Sequence, residues 1–148
     1  MSNTVLNNPY GIALSQRLTE KLVPIPKVLL VDDDETFGKI MSRIAHREGI
    51  PLTYFNSVKQ FGKLTKMNFD VAVIDYDLGV ITGLQLSEIL ERYLQRIPVI
   101  LVSQYRHIDP KMWPKCVRNF VNKANGPYQI FDALFDAYEA TLRPGGDA

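Results

Sequence analysis

The chain alternates between short apolar runs that end abruptly in a polar residue and longer segments in which apolar residues recur every three or four positions. The short runs are rich in β-branched residues and indicate strands, whereas the longer segments indicate amphipathic helices. Strands are predicted over residues 28–31, 51–55, 70–75, 97–102 and 118–121. Helices are predicted from the end of the first strand to about residue 49, and over 58–66, 84–94 and 127–142.

This alternation predicts an α/β fold in which right-handed crossovers place helices on both faces of one parallel sheet. The segment 107–119, between the last two strands, departs from the pattern because Pro110 and Pro114 lie four residues apart. Asp109 and Pro110 can begin a helix, but Pro114 would fall in its second turn and break it. We therefore expect a short, distorted or mobile helix there.

Three regions are predicted along the chain. They are an N-terminal extension over residues 1–26, one domain over 27–142 and a tail over 143–148. Apolar residues share one face of a short helix predicted within the extension, over residues 11–22. Two interpretations of the extension stay open: a docked helix or loose tail, and a dimerisation or regulatory arm.

Composition and charge narrow the class of protein. Hydrophobic residues make up 46% of the chain and charged residues 22%, as in ordinary globular proteins. The net charge of +1 provides no field that would attract nucleic acid or an anionic membrane. No apolar stretch approaches the roughly 18–20 residues that cross a bilayer, and the start of the chain lacks a signal-peptide pattern. With Cys116 as the only cysteine, we expect a soluble cytoplasmic protein without disulfides, zinc clusters, or direct nucleic-acid or membrane contacts.

Polar side chains with complementary chemistry follow four of the predicted strands. Asp32 and Asp33 follow the first strand, Asp75 ends the third, Ser103 follows the fourth, and Lys123 comes shortly after the fifth. Because the carboxyl ends of parallel strands meet at one edge of the sheet, we expect these groups to lie close together. The sequence therefore predicts a ligand site at that edge.

Carboxylates crowded at one edge repel each other unless a cation or protons intervene, and Mg²⁺ suits such a site. We expect Asp33 and Asp75 to be direct ligands, with the backbone carbonyl of Asp77 as a third and Asp32 acting through water. Asp75 can then act as a nucleophile that carries a phosphoryl group as a mixed anhydride. Lys123 would supply positive charge to the phosphoryl oxygens, and Ser103 would donate a hydrogen bond to them.

At this point the chain from Lys27 to about Tyr138 resembles a response-regulator receiver domain of the stand-alone, single-domain type. The resemblance rests on the segments VLLVDDDE at 28–35, DVAVIDYDL at 70–78, GL at 83–84, PVILVS at 98–103 and FVNK at 120–123. It implies a flavodoxin-like (βα)5 fold with strand order 2-1-3-4-5.

The resemblance also implies a function in two-component phosphorelay signalling. Asp75 would accept phosphate, with Mg²⁺, from the phosphohistidine of a sensor histidine kinase or a phosphotransfer protein. Ser103 would then move toward the phosphoryl group and the ring of Phe120 would turn inward behind it. A downstream protein would contact the surface formed by helix 4, strand 5 and helix 5, where helix 4 is the helix between strands 4 and 5. A second copy of the chain is a further candidate partner, and we expect no enzyme activity beyond self-phosphorylation.

The chain departs from the family pattern at three positions near this site. Gly79 replaces a usual proline, which predicts a more mobile loop. Ala124 replaces the proline that normally follows the lysine, often through a cis bond. Because a cis non-proline bond costs about 2.5–4 kcal/mol, we expect a trans peptide and a shifted Lys123 loop. Gln104 replaces a small residue and can crowd or shield the phosphate pocket, which predicts altered switching or a long-lived phosphoryl state.

Two other functions fit parts of the pattern. A degenerate receiver would keep the fold as an unphosphorylated interaction module. The segment from Asp75 to Asp77 also resembles the Asp-x-Asp motif of haloacid-dehalogenase-type phosphatases. In those enzymes, however, the further acidic motif follows the nucleophile strand, whereas here the acidic pair precedes it, and the chain lacks room for a substrate-covering cap. Turnover of small phosphate esters would favour the phosphatase, and a folded protein that takes up no phosphate would favour the degenerate receiver.

Overall fold

Five parallel strands form one sheet in the computed structural model, which describes residues 14–20, 22–64, 66–94, 96–104 and 107–143. The strands are β1 Val28–Val31, β2 Leu52–Phe55, β3 Val71–Asp75, β4 Val99–Ser103 and β5 Val117–Asn122. Their spatial order is β2-β1-β3-β4-β5. The predicted flavodoxin-like α/β fold with strand order 2-1-3-4-5 is confirmed.

Helices connect the strands and lie on both faces of the sheet. They are α1 Leu14–Glu20, α2 Glu35–Arg47, α3 Phe61–Leu64, α4 Gly83–Ile89 and α5 Pro127–Thr141. A 3-10 turn over Val58–Gln60 precedes α3, and a π-helical turn over Leu90–Leu94 extends α4. Among the helices of the described residues, none has the length and apolar character needed to cross a membrane.

Alternate residues of the central strands supply two separate cores, as the twofold side-chain period of a strand requires. Val28 and Leu30 face a cluster that includes α1, α2 and α5, whereas Leu29 and Val31 face a cluster that includes α4. Every residue of β1, β3 and β4 is buried. This double burial explains why these strands read as continuous apolar runs.

The register of the strands brings their carboxyl ends to one level. Val31 of β1 pairs with Ile74 of β3, and Asp75 pairs with Val102 of β4. Asp32 therefore follows β1 at the level at which Asp75 ends β3. Strand pairing thus brings Asp32 and Asp75 to the sheet edge that the sequence predicted as the ligand site.

A 3-10 turn, Pro110–Met112, lies in the described part of the connection between β4 and β5. The side chain of Asp109 accepts a hydrogen bond from the Lys111 N–H and caps this turn. Trp113 has extended backbone angles, φ −77° and ψ 137°, as expected for a residue before a proline. The prediction of a short, distorted helix is confirmed, and Pro114 is the physical reason for its early end.

The described part of the N-terminal extension packs against the domain. Helix α1 falls within the predicted range 11–22, of which residues 11–13 and 21 lie outside the described residues. Leu18 is fully buried in the core shared by α2 and α5. The Tyr138 hydroxyl of α5 donates a 2.8 Å hydrogen bond to the Pro24 carbonyl. The described part of the extension therefore contacts the domain through buried side chains and through a backbone carbonyl.

Leu22 closes helix α1 in an unfavourable backbone conformation. Its φ is +56° and its side chain is 92% exposed, while the Val23 N–H donates to the Leu18 carbonyl as in a helix-ending αL turn. Because a Cβ is disfavoured there and the exposed side chain contributes little packing, Leu22→Gly is expected to raise the free energy of unfolding by about 1 kcal/mol. Urea denaturation measures this change. Leu22→Ala keeps the Cβ and is the matched control, so an equal gain from alanine would contradict the explanation.

Candidate functional site

The turn between β1 and α2 holds three consecutive aspartates in a hydrogen-bonded arrangement. Asp32 is fully buried, and its Oδ1 accepts a 2.8 Å hydrogen bond from the Asp34 N–H. Asp34 Oδ1 in turn accepts from the Phe37 N–H at 3.2 Å and caps α2. Asp33 is exposed between them. We name residues Asp32–Asp34 the acidic turn.

The acidic turn and the end of β3 bring three carboxylates together. Oxygen atoms of Asp32, Asp33 and Asp75 all lie within 4.8 Å of one another. The Lys123 ammonium lies 2.7 Å from Asp32 Oδ2 and 3.5 Å from Asp75 Oδ1. Four of the sequence-predicted groups therefore meet at the carboxyl edge of the sheet, three negative and one positive.

The backbone of Asp75 is held by the start of α4. The Gly83 N–H donates a 2.7 Å hydrogen bond to the Tyr76 carbonyl. A Cβ on Gly83 would lie only 2.4 Å from the Asp75 carbonyl oxygen, so any larger residue would have to displace one of the two segments. The start of α4 therefore packs directly against the backbone that carries the Asp75 side chain.

Lys123 lies in a 3-10 turn, Lys123–Asn125, that follows β5 directly. The Asn122 side chain accepts a 2.9 Å hydrogen bond from the Ala124 N–H and shapes this turn. The Lys123 ammonium also lies 4.6 Å from the centre of the Phe37 ring, within cation–π distance. The described residues contain no cis peptide bond, so the predicted trans bond between Lys123 and Ala124 is confirmed.

Burial controls the protonation of these groups. Burial and the negative charge of Asp32 raise the pKa of Asp75 to about 7, although Lys123 acts in the opposite direction. Burial likewise raises the pKa of Asp32, against the hydrogen bond from Lys123. Desolvation disfavours the charged form of Lys123, but the two carboxylates outweigh it and raise its pKa. The lysine is therefore charged at neutral pH, while Asp75 is poised between its two forms.

The donor set fits a hard divalent cation. Three carboxylates lie near the one ammonium of Lys123. Within the described part of the chain, the buried Asp32 Oδ2 is paired with that ammonium and receives no further hydrogen bond. Oxygen donors at one open sheet edge suit Mg²⁺, which binds through few carboxylates and keeps several waters. Asp33, Asp75 and the Asp77 carbonyl are the groups expected to hold it directly, with Asp32 behind a water.

The remaining predicted site residues lie around this cluster. Ser103 is buried at the end of β4, and Gln104 after it is exposed. Asp77 is exposed in the loop before α4, where it pairs with Thr82 in an isolated bridge. Gln104 lines a cleft of about 410 Å³ together with Phe37, Lys123 and Ala124. Lys123 is thus the residue that this cleft shares with the carboxylate cluster.

Phe120 lies half-buried among three aromatic rings that the sequence pattern did not connect with it. Its ring centre is 6.3 Å from that of Tyr76, 6.2 Å from that of His107 and 6.4 Å from that of Trp113. The Trp113 indole N–H donates to the Ile108 carbonyl at 3.0 Å. Trp113 thus packs against Phe120 from the short connection between β4 and β5.

Sequence reasoning also missed two contacts of the acidic site. The contact between the Phe37 ring and the Lys123 ammonium could not be predicted, because the spacing of Phe37 indicates only that it is a core residue of α2. Tyr54 of β2 donates a 2.8 Å hydrogen bond from its hydroxyl to the Asp32 carbonyl. Burial, reinforced by the nearby carboxylates, raises the pKa of Tyr54 to about 12, so the hydroxyl keeps this proton at neutral pH.

The family model of the response regulator receiver domain matches residues 28–134, which is more than half of the chain. The chain therefore belongs to the response-regulator receiver family, whose members are in general phosphorylatable signalling switches. Among proteins with curated functions, none matches the chain by sequence.

Solved receiver domains share the fold at low sequence identity. A CheY-like receiver domain protein from Methanospirillum hungatei JF-1 is 18% identical, with a TM-score of 0.70 over 78% of this chain and 95% of that one. The Francisella response regulator 1452 receiver domain is 24% identical, with a TM-score of 0.67 over 78% and 98%. The response regulator TrrA from Thermotoga maritima, solved in complex with Mg²⁺-BeF, is 18% identical, with a TM-score of 0.65 over 76% and 99%.

Proposed function

We propose that this chain is a signalling switch in which Asp75 accepts a phosphoryl group from a histidine kinase or a phosphotransfer protein, in a reaction that needs Mg²⁺. The observation that carries the proposal is the shared ammonium of Lys123, which lies 2.7 Å from Asp32 and 3.5 Å from Asp75 at the sheet edge. A buried carboxylate nucleophile beside a charged lysine and an oxygen-rich cation site is the arrangement that phosphoryl transfer to aspartate requires.

In the transfer step, an oxygen of the ionised Asp75 carboxylate attacks phosphorus. The bond between phosphorus and the donor's imidazole nitrogen breaks, and the imidazole leaves with the electron pair and takes up a proton from solvent. Lys123 neutralises charge on the phosphoryl oxygens, and Ser103 donates a hydrogen bond to them. Mg²⁺, when bound, supplies further positive charge to the same oxygens.

The phosphorylated state is read out by protein contact in this proposal. Ser103 moves toward the new group and Phe120 turns further inward, which requires its contacts with Tyr76, His107 and Trp113 to rearrange. These rings border β5 and the short turn Pro110–Met112. A downstream protein, or a second copy of the chain, binds there and on α5. We also propose that the protein is cytoplasmic, as expected from the sequence, because it must share a compartment with the protein that donates the phosphoryl group.

We also propose that the protein does not turn over phosphate esters. In an Asp-x-Asp phosphatase, the second aspartate must reach the leaving group as a general acid. Here Asp77 is exposed in the loop, and the carboxylate cluster consists of Asp32, Asp33 and Asp75. The acidic groups beside Asp75 therefore come from the turn after β1, as in a receiver.

Intact mass after incubation with a small acyl phosphate tests the proposed function. With Mg²⁺ we expect one added phosphoryl group per chain, and with EDTA none, because the carboxylates repel the donor unless the cation is bound. A chromogenic phosphate ester in the same buffer is expected to release no coloured product. Release of product would identify a phosphatase, and a folded chain that gains no mass with Mg²⁺ would identify a degenerate receiver.

A further inference from the structure

Tyr54 connects the edge strand β2 to the acidic turn. Its hydroxyl lies 2.8 Å from the Asp32 carbonyl oxygen and 3.4 Å from that of Asp34. The neighbouring Phe55 carbonyl accepts a hydrogen bond from the Asp32 N–H at 3.1 Å. Strand β2 therefore holds both the N–H and the carbonyl of Asp32, immediately beyond the end of β1.

Gly38 provides the space that the Tyr54 ring occupies. A Cβ on Gly38 would lie 2.2, 2.4 and 2.7 Å from three atoms of that ring, closer than non-bonded atoms approach. Gly38 lies inside α2, Glu35–Arg47, where glycine is among the poorest helix formers. The path of the tyrosine accounts for a glycine at this unfavourable position.

The carbonyl that Tyr54 holds belongs to the peptide between Asp32 and Asp33. Asp33 is exposed, so the backbone of the turn, rather than packing, places its carboxylate beside Asp75. Asp32 is fully buried and uses its Oδ1 to bind the Asp34 N–H. Rotation of the Asp32–Asp33 peptide would therefore move one carboxylate directly and loosen the hydrogen bond of the other.

We propose that Tyr54 is a positioning residue for the cation site, holding the Asp32–Asp33 peptide through its hydroxyl, and that Gly38 is present to admit its ring. The inference rests on the proposed function, in which Asp33 and Asp75 bind Mg²⁺. Tyr54 touches neither the cation nor the phosphoryl group, and it acts by fixing the orientation of the two aspartates that do.

Titration of the metal-free chain with MgCl₂, followed by calorimetry, tests this assignment. Tyr54→Phe removes only the hydroxyl, and its Kd for Mg²⁺ is expected to be about two- to tenfold higher, the range that one hydrogen bond spans. Hydrogen exchange of the Asp34 amide, followed by NMR without Mg²⁺, is expected to accelerate while the amides of β3 keep their rates. Tyr138→Phe is the matched control, because Tyr138 also donates a 2.8 Å hydrogen bond to a backbone carbonyl, at Pro24. It is expected to keep the wild-type Kd and Asp34 exchange.

The remaining outcomes separate the inference from the proposed function. An unchanged Kd and unchanged Asp34 exchange in Tyr54→Phe, or equal changes in Tyr138→Phe, would overturn the inference and leave the proposed function intact. Gly38→Ala is expected to weaken Mg²⁺ binding as Tyr54→Phe does, and the double variant no further, because both changes remove the same contact. Additive losses would overturn the role of Gly38. If the wild-type chain binds no Mg²⁺, the proposed function and this inference fail together, whereas a wild-type chain that binds Mg²⁺ isolates the contribution of Tyr54.

Discussion

An Asp75→Asn variant is expected to take up no phosphoryl group from a small acyl phosphate under conditions in which the wild-type chain is fully modified. The amide lacks the nucleophilic carboxylate oxygen, and in Asp32, the other buried carboxylate beside Lys123, Oδ1 is already bound to the Asp34 N–H and Oδ2 lies 2.7 Å from the lysine. The expected loss is complete rather than partial, because the covalent intermediate itself needs the carboxylate. Intact mass and phosphate release after acid treatment measure it.

Asp70→Asn is the matched control for this experiment. Asp70 directly precedes the same strand β3 but lies at its opposite end, where its Oδ2 accepts a 2.8 Å hydrogen bond from the Lys27 N–H. This variant is expected to gain one phosphoryl group, as the wild-type chain does. Modification of Asp75→Asn at the wild-type level would place the acceptor on another residue and remove the basis of the proposed function.

Without Mg²⁺, the wild-type chain is expected to lose stability as the pH rises from about 4 to about 8, relative to Asp75→Asn. Burial beside Asp32 raises the pKa of Asp75 to about 7, from 3.8 in the ordinary case. Between these values the folded chain binds a proton that the unfolded chain releases. The stabilisation is therefore fully present below pH 4 and is lost as the pH passes through about 7. This shift in the pKa of Asp75 corresponds to a change of about 4 kcal/mol in the free energy of unfolding.

Urea denaturation at several pH values, in EDTA, measures this difference. The free energies of unfolding of the wild type and of Asp75→Asn should differ least at or below pH 4 and should differ by several kcal/mol at pH 8, with the variant the more stable. Saturating Mg²⁺ should reduce the difference at pH 8, because the cation stabilises the ionised carboxylate. A difference that is independent of pH would show that Asp75 titrates normally in the folded chain.

The expected effects of Asp75→Asn have one physical cause, the balance of charge in the carboxylate cluster. The site concentrates negative charge in a buried place, at a cost to stability, and Lys123 compensates only part of it because it also pairs with Asp32. In the proposed function, a cation and then a phosphoryl group, with its own hydrogen-bond acceptors, would change the balance of charge around Lys123. Such a balance allows a local event at Asp75 to shift the conformations of neighbouring segments.

Much of the fold and the main groups of the site could be predicted from the sequence. The continuous apolar runs of β1, β3 and β4 indicated a sheet buried on both faces, and the polar residues at their ends indicated its functional edge. The spacing of Pro110 and Pro114 predicted the shortened helix, since proline acts through local sterics that need no tertiary contact. The expected crowding of the phosphate pocket by Gln104 and the mobility of the Gly79 loop stay predictions.

The sequence by itself determined which chemical groups stand at the edge of the sheet, because strand period and chain order are local properties. The tertiary structure decided which groups share a partner. In the folded chain, the Lys123 ammonium contacts both Asp32 and Asp75 and also lies close to the Phe37 ring. The Tyr54 ring packs against Gly38, and its hydroxyl binds the acidic turn. Such contacts join residues that lie far apart in the chain, so they form only when the elements pack together.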